Sequence, residues 1–307
     1  MSRLAFLFPG QGSQAVGMGK SFYEHYSLAR ELFERADEIL GYRISRLCFE
    51  GPEPELRLTQ NTQPALLIVS TIAYSLFGRE PEIAAGHSLG EYSALVAAGC
   101  LRFEDALRLV HGRGRYMQEA VPVGQGAMAA VLGMSYEGLN QALSRVQSGV
   151  VQIANWNSQE QLVIAGHKQA VEEALRLAKP PRSVMLPVSA PFHSSLMKSA
   201  EDRLAKDLDL AELKDLRFPI VTNVDAKSIQ TGEAARDSLK RQVSRPVLWY
   251  KSMELLAGQA IDAFVELGPG KVLTGLIKRI GRPWPHPFAT WNVEDRESLE
   301  KIQSLGL

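Results

Sequence analysis

Cysteine is almost missing from this chain of 307 residues: Cys48 and Cys100 are the only two. Two thiols cannot build a disulfide framework, so the expected setting is a reducing cytoplasm. Charge bias is missing as well. Lys plus Arg total 34 and Asp plus Glu total 34, which argues against a nucleic-acid binder. No apolar run reaches the length of a membrane span. Met1 to Phe6 leads straight into a strand-like segment, so no signal peptide is expected. Repeats, low-complexity tracts and charge runs are absent too. What the chain has in quantity is apolar residues, 45%, enough for one large core or a large and a small one.

The most informative stretch is Ala85-Gly86-His87-Ser88-Leu89-Gly90-Glu91. The apolar Ile83-Ala84-Ala85 leads in as a strand, and Leu89 to Ala98 leads out with helical spacing of Leu89, Tyr92 and Val96. Gly86 and Gly90 permit a turn too sharp for side chains, so the Ser88 hydroxyl projects from it. Ser88 also stands at a helix N-terminus, where free N–H groups favour an oxyanion. Those are the requirements of an acyl-accepting serine.

Upstream, Leu4 to Phe8 reads as a buried strand. It ends in Pro9-Gly10-Gln11-Gly12-Ser13-Gln14. A third glycine at dinucleotide spacing is lacking, and no Gly-Lys-Ser/Thr follows. The loop therefore suits an oxyanion hole better than a nucleotide. Ser21 to Leu40 is expected to be one amphipathic helix ended by Gly41. Asn61 and Thr62 are candidate caps for a buried helix from Pro64 to Phe77. Phe103 to Ala120 is a further helix, with Ala106, Val110, Arg113, Met117 and Ala120 on one stripe. A cation on that apolar stripe needs a partner. A protein carboxylate, an outward-snorkelling side chain and a waiting site for a substrate carboxylate all remain open.

From Gly126 onward the pattern becomes β-α-β-β-α-β, the ferredoxin-like order. Strands are expected at 127–132, 150–154, 161–165 and 183–188, with helices at 136–146 and 169–178. The segment closes at Ser189-Ala190-Pro191-Phe192-His193-Ser194, and a helix over 196–208 follows. Strands at 220–224, 263–267 and 287–291 and helices at 233–243 and 272–280 then resume α/β alternation. The predicted fold is α/β: a large α/β-hydrolase-like domain with a parallel sheet (1–125 and 194–307) carrying an inserted ferredoxin-like subdomain (126–193).

Six histidines could serve the serine: His25, His87, His111, His167, His193 and His286. His193, at the junction of the two units, is favoured because clefts form there. The chain order of an α/β-hydrolase would instead select His286, with Asp225 or Asp262 as the acid.

Taken together, these segments resemble the bacterial malonyl-CoA:acyl carrier protein transacylases, loading enzymes of fatty-acid synthesis. The resemblance spans almost the whole chain. It rests on Phe8 to Gln14, Gly86 to Tyr92, Arg113-Gly114, Pro191-Phe192-His193-Ser194, Asn223-Val224-Asp225, Gln242 to Val247 and Glu266-Leu267-Gly268-Pro269-Gly270-Lys271-Val272-Leu273. It implies Ser88 as nucleophile and His193 as base, the imidazole being oriented by a backbone carbonyl from Gln242. It implies Gln11 and Leu89 as oxyanion N–H donors. Arg113, Gln242, Phe192 and Asn223 form the implied substrate-binding set, Arg113 clamping the malonyl carboxylate and Phe192 fitting the malonyl-type pattern. No metal or cofactor is implied. Malonyl-CoA and the phosphopantetheine arm of an acyl carrier protein are the expected partners, the chain acting as a monomer without nucleic acid or membrane. An acidic carrier would meet a basic patch, for which Lys271, Lys278, Arg279 and Arg282 are candidates. Trp156 and the short link Gly78 to Glu82 depart from the family pattern. Three other readings compete: an acyltransferase loading a polyketide synthase, a serine hydrolase, and a non-catalytic carrier-binding module.

Overall fold

The computed structural model describes residues 2–188 and 190–306. Ser189, expected at the end of the inserted unit, lies outside the described residues. Two sheets organise the chain. The first runs through β1 (Leu4–Phe8), β2 (Ile83–Gly86), β7 (Ile220–Val221), β8 (Ser228–Ile229), β9 (Ala263–Leu267) and β10 (Ala289–Val293). Its spatial order is β10-β9-β1-β2-β7-β8, parallel throughout except for the β7–β8 pair. β1 is continuously apolar because both of its faces are covered. Leu4, Phe6 and Phe8 enter one core with the helix Thr59–Phe77, whereas Ala5 and Leu7 enter another with Trp249 and Phe264.

Strand order decides where chemistry can happen. In an open parallel sheet, ligands gather beyond the carboxyl ends of the strands. Phe8 pairs with Gly86 at the last position of the β1–β2 ladder. The loop after β1 therefore leaves the sheet beside the turn after β2, and the segment after β7 leaves on that turn's other side.

The second sheet comprises β3 (Gly126–Leu132), β4 (Val151–Ser158), β5 (Gln161–His167) and β6 (Arg182–Met185), ordered β4-β5-β3-β6 and antiparallel at every pair. The helices Tyr136–Leu143 and Lys168–Ala178 cover one face through Leu139, Val171 and Ala174. This is the ferredoxin-like arrangement expected from the element order. β4 is stitched to the larger sheet's unit by reciprocal backbone bonds with Val247, from the Trp156 N–H (2.9 Å) and to the Ala154 carbonyl (2.9 Å). The Trp156 ring stacks on Tyr136 at 4.5 Å and meets Tyr250 across the junction at 5.3 Å.

Several local expectations are corrected. The helix foreseen over 21–40 is two helices, Lys20–His25 and Ser27–Leu40, separated by an extended Tyr26. Asn61 and Thr62 are not caps, because the helix already begins at Thr59 and Pro64 lies inside it. Their side chains reach back to the Glu55 and Leu56 carbonyls instead. β7 stops at Val221. The helices Trp249–Ala257 and Arg296–Ser304 were not foreseen. Among the described residues no helix is long and apolar enough to cross a membrane.

Candidate active site

β2 delivers the chain into a bend at His87-Ser88, from which the helix Leu89–Ala97 departs. Ser88 holds φ 51° and ψ −104°, a strained conformation for a residue with a Cβ. Close approach explains why the flanking residue must be glycine: a Cβ on Gly90 would lie 2.0 Å from the Phe8 carbonyl oxygen. Asn223, just past β7, secures the bend from behind. Its Oδ1 accepts the Ser88 N–H at 2.7 Å and its Nδ2 donates to the Gly86 carbonyl at 2.7 Å. Asn223 is fully buried and does not line the cavity above the serine.

His193 faces the bend from the segment that follows the second sheet. Its Nε2 lies 2.7 Å from Ser88 Oγ, and its Nδ1 lies 2.9 Å from the Gln242 backbone carbonyl. A carbonyl can only accept, so Nδ1 carries the proton and Nε2 is left to receive one. Burial, and then the positive charge of Arg113, push the imidazole down to about 3. It is therefore neutral at neutral pH. Among the described residues no carboxylate completes a triad. Asp225 is engaged twice by Arg241, at 3.0 and 2.7 Å, and Asp262 accepts the Arg3 N–H at 2.7 Å. His286 is exposed. The remaining histidines are committed or distant: His25 bonds the Ser21 carbonyl, His111 lies against Tyr42, and His167 accepts the Val150 N–H.

Arg113 enters from the helix Phe103–Glu119 and is 1% exposed. Its Nη1 donates to Gln63 Oε1 at 2.7 Å, and its Nη2 donates to Gln242 Oε1 at 2.9 Å and to Ser88 Oγ at 3.1 Å. The Tyr92 ring lies 5.6 Å away, and Nε has no partner among the described residues. Among the described residues the guanidinium is thus held by two amides and the Ser88 hydroxyl, and by no carboxylate. Gly114 makes this possible: a Cβ there would sit 2.6 Å from the Thr59 carbonyl oxygen. The arginine helix can then lie against the start of Thr59–Phe77, which carries Gln63.

Above the serine is a cavity of 120 Å³ bordered by Gln11, Leu89, Arg113, Phe192 and His193, with Met128 and Asn155 contributed by the second sheet. Met117, Leu186 and Val188 make the rest of its wall largely apolar. That volume equals about four waters, room for a short acyl group. The backbone N–H groups of Gln11 and Leu89 bond no carbonyl or side chain among the described residues. His87 also borders the cavity, and its Nε2 reaches Asn157 Oδ1 on β4 at 2.8 Å, so the bend is tied to the second sheet.

Sequence reasoning passed over Gln63, Asn155 and Asn157. It quoted Glu91 without giving it a role. Glu91 is a fully buried carboxylate and the one charged residue of its helix, and that contrast was the available signal. The four cations proposed as a docking patch are all exposed. Lys271 pairs with Glu294 at 2.9 Å, Arg279 and Arg282 border a separate cleft beside Tyr250, and none of the four lines the serine cavity. Among the described residues no group of three His, Cys, Asp or Glu side chains converges as a metal site would need.

Comparison with known proteins follows the same lines. Residues 5–298 match the model of the acyl transferase domain. A malonyl CoA-acyl carrier protein transacylase of Bacillus subtilis is 46% identical, over 99% of this chain and 98% of its own length. The crystal structure of an acyl carrier protein S-malonyltransferase from Vibrio cholerae superposes with a TM-score of 0.94 at 43% identity, covering 98% of this chain and 100% of that one. A malonyl-transacylase in complex with a type II PKS acyl-carrier protein gives a TM-score of 0.95 at 43% identity, covering 99% of this chain and 100% of that one.

Proposed function

The chain belongs to the acyl transferase family, and from that premise we infer that it moves a malonyl group from malonyl-CoA to the phosphopantetheine thiol of an acyl carrier protein, for fatty-acid synthesis. One observation carries the choice of acyl group: Arg113 is buried 3.1 Å from Ser88 Oγ with no carboxylate paired to it among the described residues. Amides hold the fork in place without cancelling its charge. A buried cation of that kind suits a ligand that brings its own carboxylate.

The steps follow from the geometry. Ser88 Oγ attacks the thioester carbon while His193 Nε2 takes the hydroxyl proton. The developing oxyanion lies against the N–H groups of Gln11 and Leu89. When the tetrahedral intermediate collapses, the C–S bond breaks and the imidazolium returns its proton to the departing thiolate of CoA. The malonyl-serine ester remains, its carboxylate on Arg113. The carrier's thiol then gives its proton to His193, attacks the ester carbonyl, and Ser88 leaves with that proton. Phe192, Met117 and Val188 limit water at the ester. Gln242 supports the base through its backbone carbonyl and Arg113 through its side chain, and Asn223 supports the bend. Each step draws on side chains and backbone of this chain alone. We place the reaction in the cytoplasm, a setting supported by the two free, buried thiols Cys48 and Cys100.

The test is intact-protein mass spectrometry after brief mixing with malonyl-CoA. One malonyl adduct is expected, localised to Ser88 by peptide mapping, lost in Ser88→Ala and discharged by phosphopantetheinylated carrier. A second reading, loading of a polyketide carrier, is favoured by the relative solved with a type II PKS acyl-carrier protein. Discharge rates against the host's own carriers separate the two.

A further inference from the structure

Glu91 lies in the first turn of the helix that leaves the bend, fully buried, and does not border the cavity. Its Oε1 accepts the Ser238 hydroxyl at 2.9 Å, and its Oε2 accepts both the Asn223 N–H and Gln242 Nε2 at 2.9 Å. The same Gln242 nitrogen donates to the Ser88 carbonyl at 3.0 Å, with Asn223 Oδ1 3.5 Å away. At the other end of the amide, Oε1 faces the Arg113 Nη2 at 2.9 Å.

A carboxamide has two ends of nearly equal shape and opposite polarity. Around the Gln242 nitrogen every neighbour is an acceptor, and the carboxylate is the strongest of them. Turned over, the amide would aim its oxygen at a carboxylate and its NH2 at a guanidinium, leaving two buried mismatches. We propose that Glu91 is a positioning residue: its carboxylate fixes which end of the Gln242 amide meets Arg113, and so holds the guanidinium toward the acyl group on Ser88. This rests on the malonyl-transfer reading. It also divides the work of one glutamine, whose backbone carbonyl serves His193 while its side chain serves Arg113. Disturbing the side chain alone therefore acts on the carboxylate clamp and on the Ser88 carbonyl it also holds, and leaves in place the backbone carbonyl that orients the base.

The experiment compares kcat/KM for malonyl-CoA with that for acetyl-CoA in Glu91→Ala, Glu91→Gln and Gln242→Met. Alanine removes the acceptor, and the malonyl-to-acetyl ratio falls about tenfold, the loss of one charge-assisted contact. Methionine at 242 deletes the amide and keeps the backbone carbonyl, and gives the same selective fall. Glutamine at 91 can offer its oxygen to Asn223 and Gln242 and its NH2 to Ser238, so it restores the ratio toward the parent value. Parallel losses on both substrates would mean that Glu91 only props the fold, and would overturn the proposal. So would a glutamine variant as unselective as alanine, since charge and not orientation would then be at issue. Should Glu91→Ala fail to fold, Gln242→Met decides alone, and an unchanged ratio sinks the idea. Absence of any malonyl adduct on Ser88 in the parent protein would instead reject the transfer reading itself.

Discussion

Replacing Arg113 by alanine is the most discriminating single change. The guanidinium is 1% exposed and 3.1 Å from Ser88 Oγ, so a malonyl carboxylate on the ester would lie within direct reach of it. Two unit charges at 4 Å attract by about 4 kcal/mol at an effective dielectric of 20. Part of that is offset by stripping water from the carboxylate. A charge-assisted hydrogen bond retains about 1.5–3 kcal/mol, equal to roughly a ten- to hundredfold change. The malonyl-to-acetyl ratio of kcat/KM should fall by that factor. Acetyl transfer should not fall in parallel, because Arg113 is, after burial, the next largest influence holding the His193 imidazole down. Removing the cation makes the base stronger. The assay is stopped-flow acylation with each CoA ester followed by carrier discharge, and Arg113→Lys keeps the charge while losing the two-pronged geometry. Equal losses on both esters, or an unchanged ratio, would refute the reasoning.

Because His193 is lowered to about 3, its neutral form persists as pH falls, and kcat/KM should show no inflection near the ordinary imidazole value of about 6.5; an acidic limb at that pH in the parent protein would contradict the burial argument. In Arg113→Ala the limb should move upward, since one cause of the lowering is gone. Gly114→Ala forces a Cβ to 2.6 Å from the Thr59 oxygen, so thermal or urea unfolding should show a loss of about 1–3 kcal/mol, with malonyl transfer reduced more than acetyl. Trp156→Ala removes the ring between Tyr136 and Tyr250 and should lower stability by about 1–3 kcal/mol while Ser88 acylation survives.

The strands that build the crevice were legible because they are buried on both faces. β1 and β2 are short apolar runs and β9 is one interrupted only by the buried Glu266, and such runs have few other uses. The break at Tyr26 was not legible, since Phe22, Ala29 and Phe33 sit on one stripe whether or not a single residue between them is extended. Pro64 misled in a different way. Proline is best accommodated in a first turn, yet here the helix starts five residues earlier, where the Asn61 and Thr62 N–H groups both bond the Leu58 carbonyl. β7 is shorter than the strand expected over 220–224 because Asn223 leaves the ladder to brace the bend. The terminal helix Arg296–Ser304 did carry a signal that went unread, the capping box of Asp295 and Ser298.

The site divides along a different line. A nucleophile at a glycine-flanked bend and a cation on an apolar helix face are both visible as local anomalies. Their partners are not, because Gln63, Gln242 and Glu91 meet Arg113 or each other across 50 to 151 residues of sequence. Sequence left three fates open for Arg113, and the structure distinguishes them through the kind of partner it supplies. A carboxylate would have both oriented the guanidinium and neutralised it. Amides do only the first, and amides need orienting themselves. A buried carboxylate one contact further away can fix an amide without forming an ion pair with the arginine. On that argument the acceptor that orients the amide belongs beneath the bend at Glu91, and not in the cavity where an acyl carboxylate would have to compete with it.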